Sequence, residues 1–180
     1  MQLRVARDPD LFAALCRAIV YQQLSGKAAA TIHARFSALF ESGRPDADRI
    51  ADFDVTRLRA VGLSQSKALS VLDLARKSTD GTLASLRRIG RMSDAEVIDN
   101  LCQVRGIGLW TAQMVLIFNL GRPDVMPATD LGVQKGVQAV YGIKGLPDPD
   151  TVLRRTRHLA PFRSAASWYF WRAADTRLMT

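Results

Sequence analysis

The sequence predicts an all-α fold on three observations. Apolar residues recur at three- and four-residue spacing in one segment after another, so that each segment would turn a single apolar stripe toward a core. Ser, Asp and Thr, the residues whose side chains satisfy the unpaired N–H groups of a helix start, stand ahead of most of these segments. Glycine and proline punctuate the spaces between them, at Gly43 and Pro45, at Gly81, at Gly121 and Pro123, and across 142–149.

Taken in order, the first helix is predicted from Asp8 to Val20, with Leu11, Leu15, Ile19 and Val20 on one face. Tyr21, Gln22, Gln23, Leu24 and Ser25 then form a loop tip, and Ser25 would cap a helix over 27–40 whose Ala28, Ile32, Phe36 and Leu39 share a face. Asp46 and Asp54 are the expected caps of short helices. Residues 58–64 lead through Gly62 into a helix carrying Lys67, Leu69, Val71, Leu72 and Leu74, a weak echo of 101–106 with one glycine instead of two. Arg87, Arg88 and Arg91 form a basic run that reads as a solvated face. Ser93 and Glu96 make a capping box for the helix through Val97 and Leu101. Helical spacing resumes after Leu131 through Val133, Val137 and Val140, with Lys135 outward. A helix follows over 152–159, with Asp150 near its start and Arg154, Arg155 and Arg157 in solvent. The last helix packs Ala165, Trp168, Phe170 and Trp171, while His33 and His158 are expected to stand without partners.

The stretch 101–131 organises the rest. Gly106, Ile107 and Gly108 let the backbone reverse with positive φ and aim amide N–H groups outward at the start of the next helix, a site suited to a phosphate of any sequence. A plainer reading is that the two glycines only end one helix and begin another. Trp110, Thr111 and Ala112 open an apolar helix, the chain breaks at Gly121 and Pro123, and Asp130 arrives with Thr129 ahead of it as the expected helix cap. That arrangement would leave the acid available for chemistry.

Totals narrow the classes. A chain of 180 residues with 48% hydrophobic content has the length of about one domain and can build a sizeable core. A net charge of +8 favours an acidic partner, and with no apolar run long enough for a bilayer, nucleic acid is the natural one. Cys16 and Cys102 are far apart with no neighbouring Cys or His, which argues against a disulfide scaffold or zinc site and for a reduced, cytoplasmic setting. Residues 3–10 are charged, with no apolar core of a secretory signal.

The hairpin VRGIGLWTA, the link LGRPDVMP and an aspartate twenty positions after the tryptophan resemble the helix-hairpin-helix DNA glycosylases with a glycine/proline-rich loop and catalytic aspartate. Within them the chain looks most like the 3-methyladenine DNA glycosylase II branch, and AIVYQQLSGKAA, VGLSQSKALSVLDLA and PFRSAASWYFWR extend the likeness over nearly the whole length. The resemblance implies a single glycosylase domain over 1–180, with the hairpin at 101–114 and the Gly/Pro-Asp loop at 121–131. It also implies two helical lobes with a base pocket between them. Such relatives carry an additional helix or a β-rich domain before the first core helix. The present chain opens almost directly at that helix, which predicts a minimal version of the fold or loss of a short N-terminal element.

On the same resemblance Asp130 is the catalytic carboxylate. Breaking the bond between base and deoxyribose develops positive charge on the sugar, which a facing carboxylate stabilises while it orients the attacking water. A cationic alkylated purine is already a good leaving group, so one carboxylate can suffice. Where strand-nicking relatives have a lysine after the glycine turn, this chain has Trp110, which cannot form a Schiff base, so base removal without strand cleavage is expected. Trp110 and Trp171 would wall the pocket for an extruded, electron-poor base, with Met114, Leu131 and Tyr21 beside them; core packing is the commoner fate of a tryptophan. Gly106, Ile107, Gly108 and Thr111 would meet phosphate. Gln22, Gln23 or Leu24 would fill the gap left by the everted nucleotide.

No cofactor is expected to be required, and the carbonyls of Cys102, Val104 and Ile107 are candidate ligands for a potassium or sodium ion. The iron–sulfur loop of some relatives needs four cysteines, and this chain has two. The partner implied is double-stranded DNA bearing alkylated bases, bound by a monomer with no membrane role. Two other readings stay open: a damage-recognising DNA-binding module without turnover, and a glycosylase for oxidised or deaminated bases.

Overall fold

The computed structural model describes residues 10–177; Asp8, the expected start of the first helix, and residues 3–9 of the stretch read for a secretory signal lie outside them. Every regular element among the described residues is helical. In chain order these are α1 (Leu11–Tyr21), α2 (Gly26–Ser37), α3 (Ala47–Ala51), α4 (Val55–Ala60), α5 (Gln65–Thr79), α6 (Leu86–Ile89), α7 (Asp94–Cys102) and α8 (Leu109–Met114), which widens into a π-helical turn at Val115–Asn119. Then come α9 (Leu131–Tyr141), α10 (Pro149–Thr156), a 3₁₀ turn at Arg157–Leu159 and α11 (Arg163–Arg177). Among the described residues no helix is long and apolar enough to cross a membrane.

Side-chain caps fix many of the boundaries. Asp10, Asp46, Asp54 and Ser64 each accept the N–H of the residue three further on, at the starts of α1, α3, α4 and α5. The capping box forms as the sequence predicts, with the Ser93 N–H donating to the Glu96 carboxylate at 2.7 Å and the Glu96 N–H to the Ser93 hydroxyl at 3.3 Å. Three expectations are corrected. Ser25 stands at the N-cap of α2 but makes no side-chain cap bond, and α2 ends at Ser37, burying Ala29 and Phe36 while Ala28 is exposed. The tenth helix starts at Pro149 rather than Val152, capped by Asp148 and with Asp150 in its first turn as expected. Val140 is 59% exposed, so the stripe of α9 is Val133, Gly136 and Val137.

The described residues divide into two compact units, 10–112 and 113–177. The first is built on α5, which packs against α1, α3 and α4. Leu15, Ile19, Phe36, Ile50, Leu58, Val71 and Leu74 are fully buried there, and each such side chain contributes about 1.5–3 kcal/mol relative to exposure. The second unit is built on α9 and α11. Its core is Met126, Ala128, Val133, Val137, Val152 and Phe170. The two helices approach most closely at Gly136, where an added Cβ would lie 2.0 Å from the Phe170 carbonyl oxygen.

Candidate active site

Within the second unit, the loop between the π-helical turn and α9 is pinned to the start of α11 at several points. The Asp124 carboxylate accepts both Nε–H (2.6 Å) and an NH2 proton (2.8 Å) of Arg163, which together hold the acid below the usual carboxylate range. The Ser164 hydroxyl donates to the Arg122 carbonyl at 2.7 Å and accepts the Val125 N–H at 3.0 Å, and the Ser164 N–H donates to the Pro123 carbonyl. Ser167 reaches the Val125 carbonyl. Further along, the Gln134 side chain donates to the Ala128 carbonyl. A segment broken by Gly121 and Pro123 thus has little freedom left, and it ends on Asp130.

Asp130 is itself the N-cap of α9: its Oδ1 accepts the Val133 N–H at 2.8 Å. This corrects the expectation that Thr129 would cap; Thr129 is exposed, and Asp130 has the extended backbone that places its carboxylate over the helix start. The same Oδ1 accepts the indole N–H of Trp171 at 2.7 Å. Trp171 is in turn stacked on Phe118 of the π-helical turn, with ring centroids 5.8 Å apart and planes 25° apart. Gly132 makes room for this contact, since a Cβ there would lie 2.7 Å from Trp171 Cδ1. The half-buried carboxylate is therefore fixed in rotamer by a main-chain and an indole donor. Such an acid is suited to stabilising positive charge brought beside it.

Within the first unit, the hairpin between α7 and α8 turns at Gly106, whose φ is +78°. A Cβ on Gly106 would also lie 2.6 Å from the Ser70 hydroxyl, so the turn requires glycine twice over. Gly108 has no positive φ, which corrects the expectation that both glycines reverse the chain. One face of α5 carries the hairpin: Asp73 accepts the Arg105 N–H at 2.7 Å and the Lys77 ammonium at 2.9 Å, and that ammonium also donates to the Gln103 carbonyl. At the end of α1, Lys67 donates to the carbonyls of Val20 and Gln22, and the Gln22 amide donates to the Gly106 carbonyl at 2.9 Å.

A family model described as the HhH-GPD superfamily of base excision DNA repair proteins matches residues 16–162. The chain belongs to that superfamily. It is 38% identical over 161 residues to the DNA-3-methyladenine glycosylase 1 of Schizosaccharomyces pombe, an alignment covering 89% of this chain and 71% of the relative. Among solved structures, a 3-methyladenine DNA glycosylase of S. pombe in complex with abasic DNA matches with a TM-score of 0.83 and 36% identity, covering 96% of this chain and 85% of that one. A DNA-3-methyladenine glycosidase from Bacillus halodurans matches with a TM-score of 0.87 and 32% identity, covering 99% and 81%. The all-helical fold is that of HhH-GPD proteins.

Against this HhH-GPD frame, the residues singled out by sequence fall into two groups. In the second unit Asp130 and Trp171 are in direct contact, Met114 is half-buried and Leu131 is 53% exposed. In the first, Trp110 is 45% exposed, whereas Thr111 is 5% exposed and Ile107 is buried with its N–H donated to the Val104 carbonyl. Contact with phosphate at these two positions would therefore fall to main chain rather than side chain at Thr111, and not to the Ile107 N–H. Tyr21 is occupied by neighbours, with the Arg17 guanidinium 4.3 Å from its ring centroid and His33 edge-on. His33 and His158 are thus not alone; His158 packs against Tyr141. Gln22 is committed to the hairpin, while Gln23 sits at φ +55° and Leu24 is exposed. Sequence reasoning missed Phe118, Gly132, Ser164 and Lys67. Only Ser164 and Lys67 carried a signal, standing inside the PFRS and SQSKA motifs.

Proposed function

We propose that this chain is a monofunctional DNA glycosylase that removes alkylated purines of the 3-methyladenine and 7-methylguanine type from double-stranded DNA by hydrolysis of the N-glycosidic bond. The observation that carries this reading is Asp130, a carboxylate at the end of a pinned loop, held by the Val133 N–H and the Trp171 indole in an HhH-GPD chain. The target nucleotide leaves the stack, Asp130 stabilises the positive charge that grows on the deoxyribose, and the carboxylate orients the incoming water. Trp171, beside Asp130, supplies a face for a cationic base. With an indole at position 110 there is no amine for Schiff-base chemistry, so the product is an abasic site in an intact strand.

Binding rests on the hairpin around Gly106 and Gly108 and on a net charge of +8. With Gln22 tied to Gly106, Gln23 and Leu24 are the residues for the gap in the duplex. The carbonyls of Cys102, Val104 and Ile107 are neutral hard oxygens suited to a monovalent ion, with Val104 already sharing its oxygen with the Ile107 N–H. Potassium or sodium there would add positive charge beneath the phosphate. Replacing both ions with choline at constant ionic strength is expected to weaken DNA binding; unchanged affinity rejects the ion site. The protein would act as a monomer, in the cytoplasm at the nucleoid.

A DNA-binding module without turnover is the second reading, favoured by the cap bond that gives Asp130 a structural task. A panel of duplexes bearing alkylated, oxidised or deaminated bases, scored for abasic sites, separates the readings. Abasic sites from the alkylated purines alone are expected; none from any duplex would leave the binding module, and release of other bases would move the substrate class.

A further inference from the structure

We propose that Lys67 is a positioning residue for nucleotide eversion, holding the loop after α1 and the hairpin as one rigid DNA-facing edge. The inference rests on the glycosylase reading above. A helix leaves its last carbonyls without intrahelical partners. At the end of α1 the remaining backbone bonds are long, 3.4 Å from Gln22 N–H to the Ile19 carbonyl and from Leu24 N–H to the Tyr21 carbonyl. The Lys67 ammonium supplies what they do not, donating at 2.7 Å to Val20 and 2.6 Å to Gln22 across more than forty residues of sequence. These are charge-assisted bonds, strong ones for a loop anchor. Burial pulls the amine below its usual pKa, because desolvation disfavours the charged form.

The same residue that Lys67 holds by its carbonyl reaches forward with its side chain. Gln22 Nε2 donates to the Gly106 carbonyl at 2.9 Å, so the loop tip is clamped at one end by α5 and at the other by the hairpin. Between those anchors and α2 stands Gln23 with φ +55°, a left-handed conformation uncommon for a residue with a side chain. The hairpin side is set by the same helix, since Ser70, Asp73 and Lys77 lie on the face of α5 that also carries Lys67. Taking a base out of the stack costs a few kcal/mol, and the residue that enters the duplex must not recoil under that load. A single polar face of α5 supplies that stiffness to the entering loop and the phosphate site together.

A role limited to fold stability would reduce every activity alike, whereas a role in eversion acts only where the base must be forced out. The test compares Lys67→Met and Lys67→Arg with the native protein in single-turnover excision of one alkylated purine, placed either in a paired duplex or in an unpaired bulge. Lys67→Met is expected to slow excision from the duplex about tenfold while changing excision from the bulge by less than about twofold, with Lys67→Arg recovering much of the duplex rate. Equal loss on both substrates, or no loss on either, overturns the proposal. A second arm needs no turnover: 2-aminopurine opposite an abasic site brightens when a loop enters the duplex, and Lys67→Met is expected to lower that signal at saturating protein. If the native protein excises nothing, the glycosylase reading fails, and the fluorescence arm still decides for or against Lys67.

Discussion

Asp130 does two tasks with one oxygen, and the chemistry of both follows from its neighbours. Its Oδ1 closes the first turn of α9 and takes the Trp171 N–H. Trp171→Phe keeps an aromatic ring for Phe118 to stack on but removes the donor. We expect excision to fall about tenfold with a stability loss of about 1.5–3 kcal/mol, the scale of one hydrogen bond to a charged acceptor, measured by single-turnover kinetics beside urea unfolding. An unchanged rate would show that the indole does not orient the acid. Asp130 and Trp171 were both legible in the sequence because they sit in recognisable motifs. Their bond was not, because the partners are 41 positions apart and only the crossing of α9 and α11 brings them together. Phe118 was hidden for a different reason: it belongs to a π-helical turn, and apolar spacing of three and four gives no sign of a widened helix.

At the scale of elements, the caps were the most legible feature, since Asp46, Asp54 and the Ser93–Glu96 box act through contacts three residues apart. At α9, where Thr129 and Asp130 could both serve, the extended backbone of Asp130 sets its carboxylate over the helix start. The crossing of α9 and α11 gives the sharpest test of packing. A methyl group at Gly136 would meet backbone, not a flexible side chain, so the helices must separate. Gly136→Ala is expected to destabilise the protein by about 1–3 kcal/mol or more, read from the denaturation midpoint. Because the shift would carry Trp171 with α11, excision should fall further than stability alone explains. A neutral Gly136→Ala would contradict the packing described for this unit.

For the whole molecule, charge sets two responses. At Asp73 burial works against ionisation, but the Arg105 N–H and the Lys77 ammonium outweigh it, and the carboxyl lies below its usual range. At Asp124 the Arg163 guanidinium has the same effect. Carboxyls depressed in the folded state contribute stability that is present above their unfolded pKa of about 3.9 and is lost as pH falls through the folded value. The melting temperature is therefore expected to hold near neutral pH and to fall steeply in acid below that value, with Asp124→Asn removing part of the slope; an identical acid slope in that variant would contradict the assignment. A net charge of +8 predicts DNA affinity that drops steeply with added salt, and a flat salt series would count against phosphate contacts. That a basic, all-helical DNA partner was legible from composition and motif, while the polar face of α5 was not, reflects how each is encoded. Charge and local spacing are properties of the chain, but Lys67, Asp73 and Lys77 acquire their partners only when distant segments meet. The central claim, that one carboxylate drives base release, is tested most directly by single-turnover excision of an alkylated purine by Asp130→Asn. Asparagine retains an oxygen for the α9 cap and for the Trp171 N–H, so the fold and abasic-DNA binding are expected to persist while excision drops by at least about a hundredfold. An Asp130→Asn protein that excises at the native rate would contradict the account.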